Sequence, residues 1–192
     1  MTSSENRAAR TIAWTKSRPP IMQLAATCAL EHFTAVLANA VLSNPAHLAG
    51  ADMEAHRMWR WHAVEEIEHK AVAYDTWLHA TRDIPGVKRW SLRSLAMLIA
   101  GVRFHFVIFR NTADLLRQDG LNNMRTWIGL LAYLYGKPGA MRVLLGHMIG
   151  YFRPGFHPWQ RDDSGLARQA LATLTPPIVT IDIETPRIPP AG

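Results

Sequence analysis

Apolar positions run almost without interruption from Ile21 to Leu42, with Ala, Leu and Val dominating. Pro19-Pro20 stands at the entry, where a fixed φ suits the first turn of a helix better than its interior. Ser43-Asn44-Pro45 closes the run, because proline disfavours helical geometry in the residue before it. The pattern predicts a helix over 21–42. After a short connection (46–52), a second helix is predicted over 53–81 and ends at the turn Asp83-Ile84-Pro85-Gly86. A third covers 87–117, and Gly120 follows it at a favourable C-terminal position. Trp127, Leu130, Leu131 and Leu134 give helical spacing over 123–135. Lys137-Pro138-Gly139 separates that piece from a short helix over 140–151, and a last helix is expected over 165–174. Arg153 to Trp159 holds too many breakers for regular structure and reads as an ordered loop or a lid. The start, 1–17, is polar and expected to fray. Beyond Pro176 the Pro-rich tail to Gly192 reads as extended, with a short strand over 178–183. The expectation is an all-α, single helical domain over 1–192, with an ordered core of about 20–175 and a tail over 176–192.

Charge changes the picture of the third helix. Leu95 to Val102 is wholly apolar and Phe104 to Phe109 nearly so, but Arg93, Arg103 and Arg110 interrupt the run. No stretch there reaches the roughly 18 uncharged apolar residues expected of a spanning helix. The segment reads as a core helix with arginines on its polar side, or as an interfacial helix against anionic lipid. Between Lys88 and Arg142 there are nine Lys/Arg against two Asp, which favours peripheral contact with an anionic membrane surface over a span. The formal charge of +6 over 192 residues raises nucleic acid as a partner. The basic residues are scattered singly, with no compact cluster and no Gly-aromatic motif, so no nucleic-acid partner is expected. The single Cys28 excludes an intramolecular disulfide, fits a reducing compartment and reads as a small core residue. No secretory signal pattern opens the chain. The expected location is cytoplasmic, with peripheral contact at the inner membrane face.

The candidate chemistry lies in Trp61-His62-Ala63-Val64-Glu65-Glu66-Ile67-Glu68-His69-Lys70-Ala71. On a helix Glu66 and His69 project from one face, and His62 lies one turn before Glu66. Glu-x-x-His is the spacing by which four-helix di-metal carboxylate proteins place an oxygen and a nitrogen on a metal. Taken alone it reads first as a solvated charged face. Glu31 tips the balance, because it stands inside the apolar run of the first helix. A buried unpaired carboxylate costs several kcal/mol, so such a residue is neutralised, paired or metal-bound. One helix with a lone Glu and the next with Glu-x-x-His make half of a di-iron or di-manganese ligand set. Glu31, Glu66 and His69 are therefore the candidate metal ligands, with His62 beside them. His147 reads as a core or capping histidine, and His157 as a candidate to touch a ligand from outside. Phe33, Trp59 and Trp77 read as core or as an apolar lining.

Three separated motifs occur in order: Ala29-Leu30-Glu31-His32-Phe33-Thr34-Ala35, then Trp61 to Ala73, then Tyr151-Phe152-Arg153-Pro154-Gly155-Phe156-His157-Pro158-Trp159. Together, over about 21–163, they resemble the bacterial family of predicted metal-dependent hydrolases, whose ligand pattern is similar to ferritin-like di-iron proteins. The resemblance implies the C-terminal portion of a ferritin-like helical bundle, with Glu31 as the single Glu and Glu66 with His69 as the Glu-x-x-His. Glu65 precedes the ligand as in the Glu-Glu-x-x-His motif of di-iron desaturases, where such a carboxylate orients an imidazole and tunes its basicity.

The resemblance also implies an earlier Glu helix and an earlier Glu-x-x-His, and the chain shows neither before Ile21, where Glu5 is the sole carboxylate. The expectations are, in order, a truncated or degenerate site, a homodimer sharing one site about a two-fold axis, and a mononuclear site completed by His62, His32 or another local group. As a hydrolase, the protein would use Glu65 or Glu68 as general base beside a metal-activated water. As a di-iron oxidoreductase, it would act on an apolar substrate. A non-catalytic helical protein with a degenerate site is the third class. The donor types suit Fe or Mn better than structural zinc, for which thiolates are usual.

Overall fold

The computed structural model describes residues 9–174 apart from Thr11, Trp14 and Pro138. The expected tail over 176–192, its strand over 178–183 and the first residues of the chain lie outside the described residues. Every regular element among the described residues is helical, so the architecture is all-α.

Helix α1 (Pro20–Ser43) begins with proline at its first position and ends at Asn44, which is extended as the following proline requires. Asn44 Oδ1 accepts from the Ala46 amide at 3.1 Å and opens a short 3-10 turn, Pro45–Leu48. α1 is the central helix. Ala25, Cys28, Ala29, Phe33, Ala35, Val36, Ala38, Ala40 and Leu42 are buried on it, and the small residues among them let neighbours approach closely. Around it pack α2 (Met53–His69), α3 (Val72–Ala80), α4 (Gly86–Gln118), α6 (Ala140–Tyr151) and α7 (Ser164–Leu174). α5 (Met124–Tyr135) packs on α6 and buries no residue fully.

Local chemistry sets the ends. Asp52 Oδ1 caps α2 by accepting from the Ala55 amide at 2.8 Å, and Asn123 Oδ1 caps α5 through the Thr126 amide at 3.0 Å. Gly139 has φ +34°, and a Cβ there would lie 2.1 Å from the Gly136 carbonyl oxygen, so the break between α5 and α6 demands glycine. Gly101 lies where α4 crosses α1. A Cβ there would sit 2.9 Å from Met148 Cε and 3.4 Å from Phe33 Cζ. Beside it Phe33 and Phe104 stack with ring centroids 5.0 Å apart. One core gathers Phe33, Tyr74, Trp77, Met97, Leu144 and Tyr151. A second joins α2 to α7 through Ala63, Val64, Ile67, Ala167 and Ala170.

The predicted single helix over 53–81 is two helices. It breaks at Lys70-Ala71, with α2 ending at His69 and α3 starting at Val72. Lys70 is only 4% exposed, and its ammonium donates to Asp163 Oδ1 and, at 2.6 Å, to the Arg161 carbonyl. The residue at the break is thus tied to a partner 93 positions away in sequence. Trp77 is fully buried as core, whereas Trp59 is 49% exposed and lines nothing in the interior. Its position on the outer side of α2 follows from the face that Ala63, Val64 and Ile67 turn to α1 and α7.

α1 and α4 are each long and apolar enough, by length and composition, to cross a membrane. α4 leaves Leu95, Leu98, Val102 and Phe106 exposed at helical spacing.

Candidate metal centre

α1 and α2 pack side by side, which brings Glu31 against the last turn of α2. One donor atom from each of Glu31, Glu66 and His69 lies within 4.8 Å of the other two. Nδ1 of His69 donates to Oε2 of Glu31 at 3.2 Å, which leaves the ring's lone pair on Nε2. Glu66 is the most enclosed of the three, its side chain 13% exposed, against 29% for Glu31 and 43% for His69. The group is therefore open on the His69 side.

His62 Nε2 stands 3.4 Å from Glu66 Oε1, looser than an ordinary hydrogen bond, and its side chain is half exposed. It touches the group through Glu66 without joining the three converging donors. Glu65 is half-buried and Glu68 exposed, and no hydrogen bond or ion pair joins either to the three ligands among the described residues. His32, next to Glu31 in sequence, points elsewhere. Its Nε2 donates to the His147 carbonyl at 3.3 Å, and its ring packs on Tyr151 and Phe156. Burial pushes His32 down to about 4, with the charges of Arg93 and Arg161 adding to that, so the ring is neutral near pH 7. His157 is not at the metal group. Its Nε2 donates to Asp75 Oδ1 at 2.9 Å while Nδ1 accepts from the Trp159 amide, which pins the 152–160 loop to α3. Burial pushes the Cys28 thiol up to about 12, and Sγ donates to the Ala73 carbonyl at 3.2 Å, so it offers no thiolate.

Sequence reasoning missed the polar framework behind this group. Asn39, Lys70 and Asp163 are buried together, with Asn39 Nδ2 donating to Asp163 Oδ2 at 3.3 Å. Arg161 donates to Asn39 Oδ1 and to Nε2 of His147, the latter at 2.7 Å. Arg93, 3% exposed, donates to the Tyr151 carbonyl and, at 3.0 Å, to that of Arg153, and lies over the faces of Tyr74, Tyr151 and Phe156. The available signal was the run of turn residues after Tyr151, whose main-chain carbonyls lie outside a helix and need donors from elsewhere.

The fold and this group define an all-α protein with a carboxylate–imidazole cluster able to hold a metal ion. Over residues 1–162 the chain matches the family described as predicted metal-dependent hydrolase, and it belongs to that family. No curated protein and no solved structure matches it.

Proposed function

We propose that the protein is a hydrolase whose metal, Fe or Mn, is held by Glu31, Glu66 and His69, with a second copy of the chain completing the centre. The observation that carries this reading is the convergence of those three donors within 4.8 Å from two packed helices. Two carboxylates and an imidazole without thiolate suit Fe or Mn over structural zinc. When bound, such an ion supplies a water of lowered pKa and polarises a carbonyl or phosphoryl oxygen. Glu65, half-buried beside Glu66, is the first candidate for general base, and the exposed Glu68 the second.

One Glu helix and one Glu-x-x-His helix are half of the ligand set of a ferritin-like di-metal bundle. A two-fold axis beside the open edge at His69 would set a second Glu31, Glu66 and His69 opposite the first. The same face of α2 carries Met58 and Trp61, 53% and 50% exposed, apolar area suited to such an interface. A second reading is a di-iron oxidoreductase acting on an apolar substrate. An apolar groove of about 500 Å³ between α1 and α4, reaching Leu30 next to Glu31, favours it. That groove and the exposed apolar side of α4 also support peripheral contact with an anionic membrane at the cytoplasmic face.

The test is elemental analysis of the size-exclusion peak after anaerobic loading with iron or manganese, with mass measured by light scattering. About one metal per chain in a dimer is expected, lost in Glu66→Gln with the fold intact by circular dichroism. Metal retained by E66Q overturns the ligand assignment. Metal bound by a monomer overturns the shared centre, and a folded chain without metal overturns the enzyme reading.

A further inference from the structure

The loop after α6 closes over a second cavity, of about 470 Å³, which neighbours the metal group along α1. His32, Lys70, His147, Arg153, Arg161 and Asp163 supply its polar wall. Ala35, Val36 and Phe156 supply apolar surface. Its volume falls in the range of small-molecule pockets.

The charges in this wall do not balance. Lys70 and Asp163 pair with each other. His157, also in the wall, is held by the chain itself, Nδ1 accepting from the Trp159 amide and Nε2 donating to Asp75. Burial and the charge of Arg161 hold the His147 imidazole below its ordinary value, and its Nε2 accepts from Arg161. That leaves the guanidinium groups of Arg153 and Arg161. Neither forms an ion pair with a carboxylate among the described residues. Among the described residues, Arg161 donates to neutral acceptors alone, Asn39 Oδ1 and the His147 ring. A guanidinium carries five N–H donors, so most of its donating capacity remains. Two planar forks on one concave wall, with apolar surface beside them, match an organic anion.

We infer that this cavity binds a small organic anion, a carboxylate or a phosphate monoester, gripped by Arg153 and Arg161 with its carbon portion against Val36 and Phe156. The site does not depend on the metal reading. Its wall adjoins the metal group in sequence, His32 following Glu31 on α1 and Lys70 following His69 at the α2–α3 break.

Isothermal titration of the full-length chain, dialysed against a chelator, with inorganic phosphate and with acetate tests the inference. Saturable binding of at least one probe is expected, and which one binds identifies the headgroup. Arg153→Gln and Arg161→Lys should each weaken it at least about tenfold, since one loses a charge and the other the planar fork. Arg110→Gln, exposed on α4, and Glu66→Gln should leave it unchanged. Arg153 is exposed and joins the fold's hydrogen bonding through its main-chain carbonyl, so R153Q reads binding without threatening folding. No saturable binding of either probe up to about 10 mM overturns the inference. So does an affinity that R153Q and R161K leave at the level of R110Q. Loss of binding in E66Q would place the anion at the metal group instead, and would equally overturn it.

Discussion

Asp163→Asn should be among the most damaging single substitutions in this chain. The Asp163 and Lys70 side chains are 6% and 3% exposed, and Lys70 has no other carboxylate partner among the described residues. Removing one charge from a buried pair leaves the other desolvated without compensation, at a cost of about 3–5 kcal/mol. Asn39 Nδ2, which donates to the other Asp163 oxygen, would face an amide able to present its own N–H, so the neighbour offers little relief. At roughly 2–4 °C per kcal/mol for a chain of this size, Tm should fall by about 6–20 °C. Differential scanning calorimetry measures it. Lys70→Met with Asp163→Leu removes both charges together and should recover most of the loss, because burial of the pair itself contributes little net stability. His69 immediately precedes Lys70, so D163N should also lower metal occupancy, read by elemental analysis at a temperature where the variant remains folded. A Tm for D163N within about 2 °C of the unaltered chain, with full metal occupancy, would refute the claim that this buried pair anchors the α2–α3 junction.

Arg93→Met should cost about 3 kcal/mol in urea unfolding, because the carbonyls of Tyr151 and Arg153 lose their guanidinium donors; a loss below about 1 kcal/mol would mean that water replaces it without penalty. Cys28 is an acid whose pKa is raised from 9.0 to about 12, so its neutral form persists upward in pH. At pH 8 its thiolate fraction should be about a thousandfold below that of an ordinary thiol, and Ellman's reagent should react only when the chain unfolds. Rapid labelling of the native chain at pH 8 would contradict this. Glu65→Gln should keep its metal yet lower kcat by about 100-fold or more on whichever chromogenic ester or phosphate ester the protein cleaves. Metal loss in E65Q equal to that in E66Q would make Glu65 a ligand rather than a base.

Helix ends were legible because they are written in local steric chemistry. Pro19-Pro20, Asn44-Pro45, Gly120 and Lys137-Pro138-Gly139 constrain their own backbone whatever surrounds them. The grouping of Glu66 with His69 was legible for the same reason, since helical geometry alone puts positions three apart on one face. Glu31 stood out because a carboxylate in an apolar run needs a partner, although its partner 38 residues away was not written beside it. Packing decided the rest. Trp59 and Trp77 are equally apolar, yet one is exposed and the other buried, according to which face their helices turn to the core. Arg93 and Arg161 resemble solvated helix or loop arginines in sequence, because the carbonyls, rings and amide that receive them come from distant segments. Lys70, at the break in a strongly helical stretch, finds its carboxylate in Asp163 across the fold, which nothing beside it in the sequence announces. Local sterics are encoded residue by residue, whereas desolvated charges are satisfied only by whatever the tertiary structure brings to them.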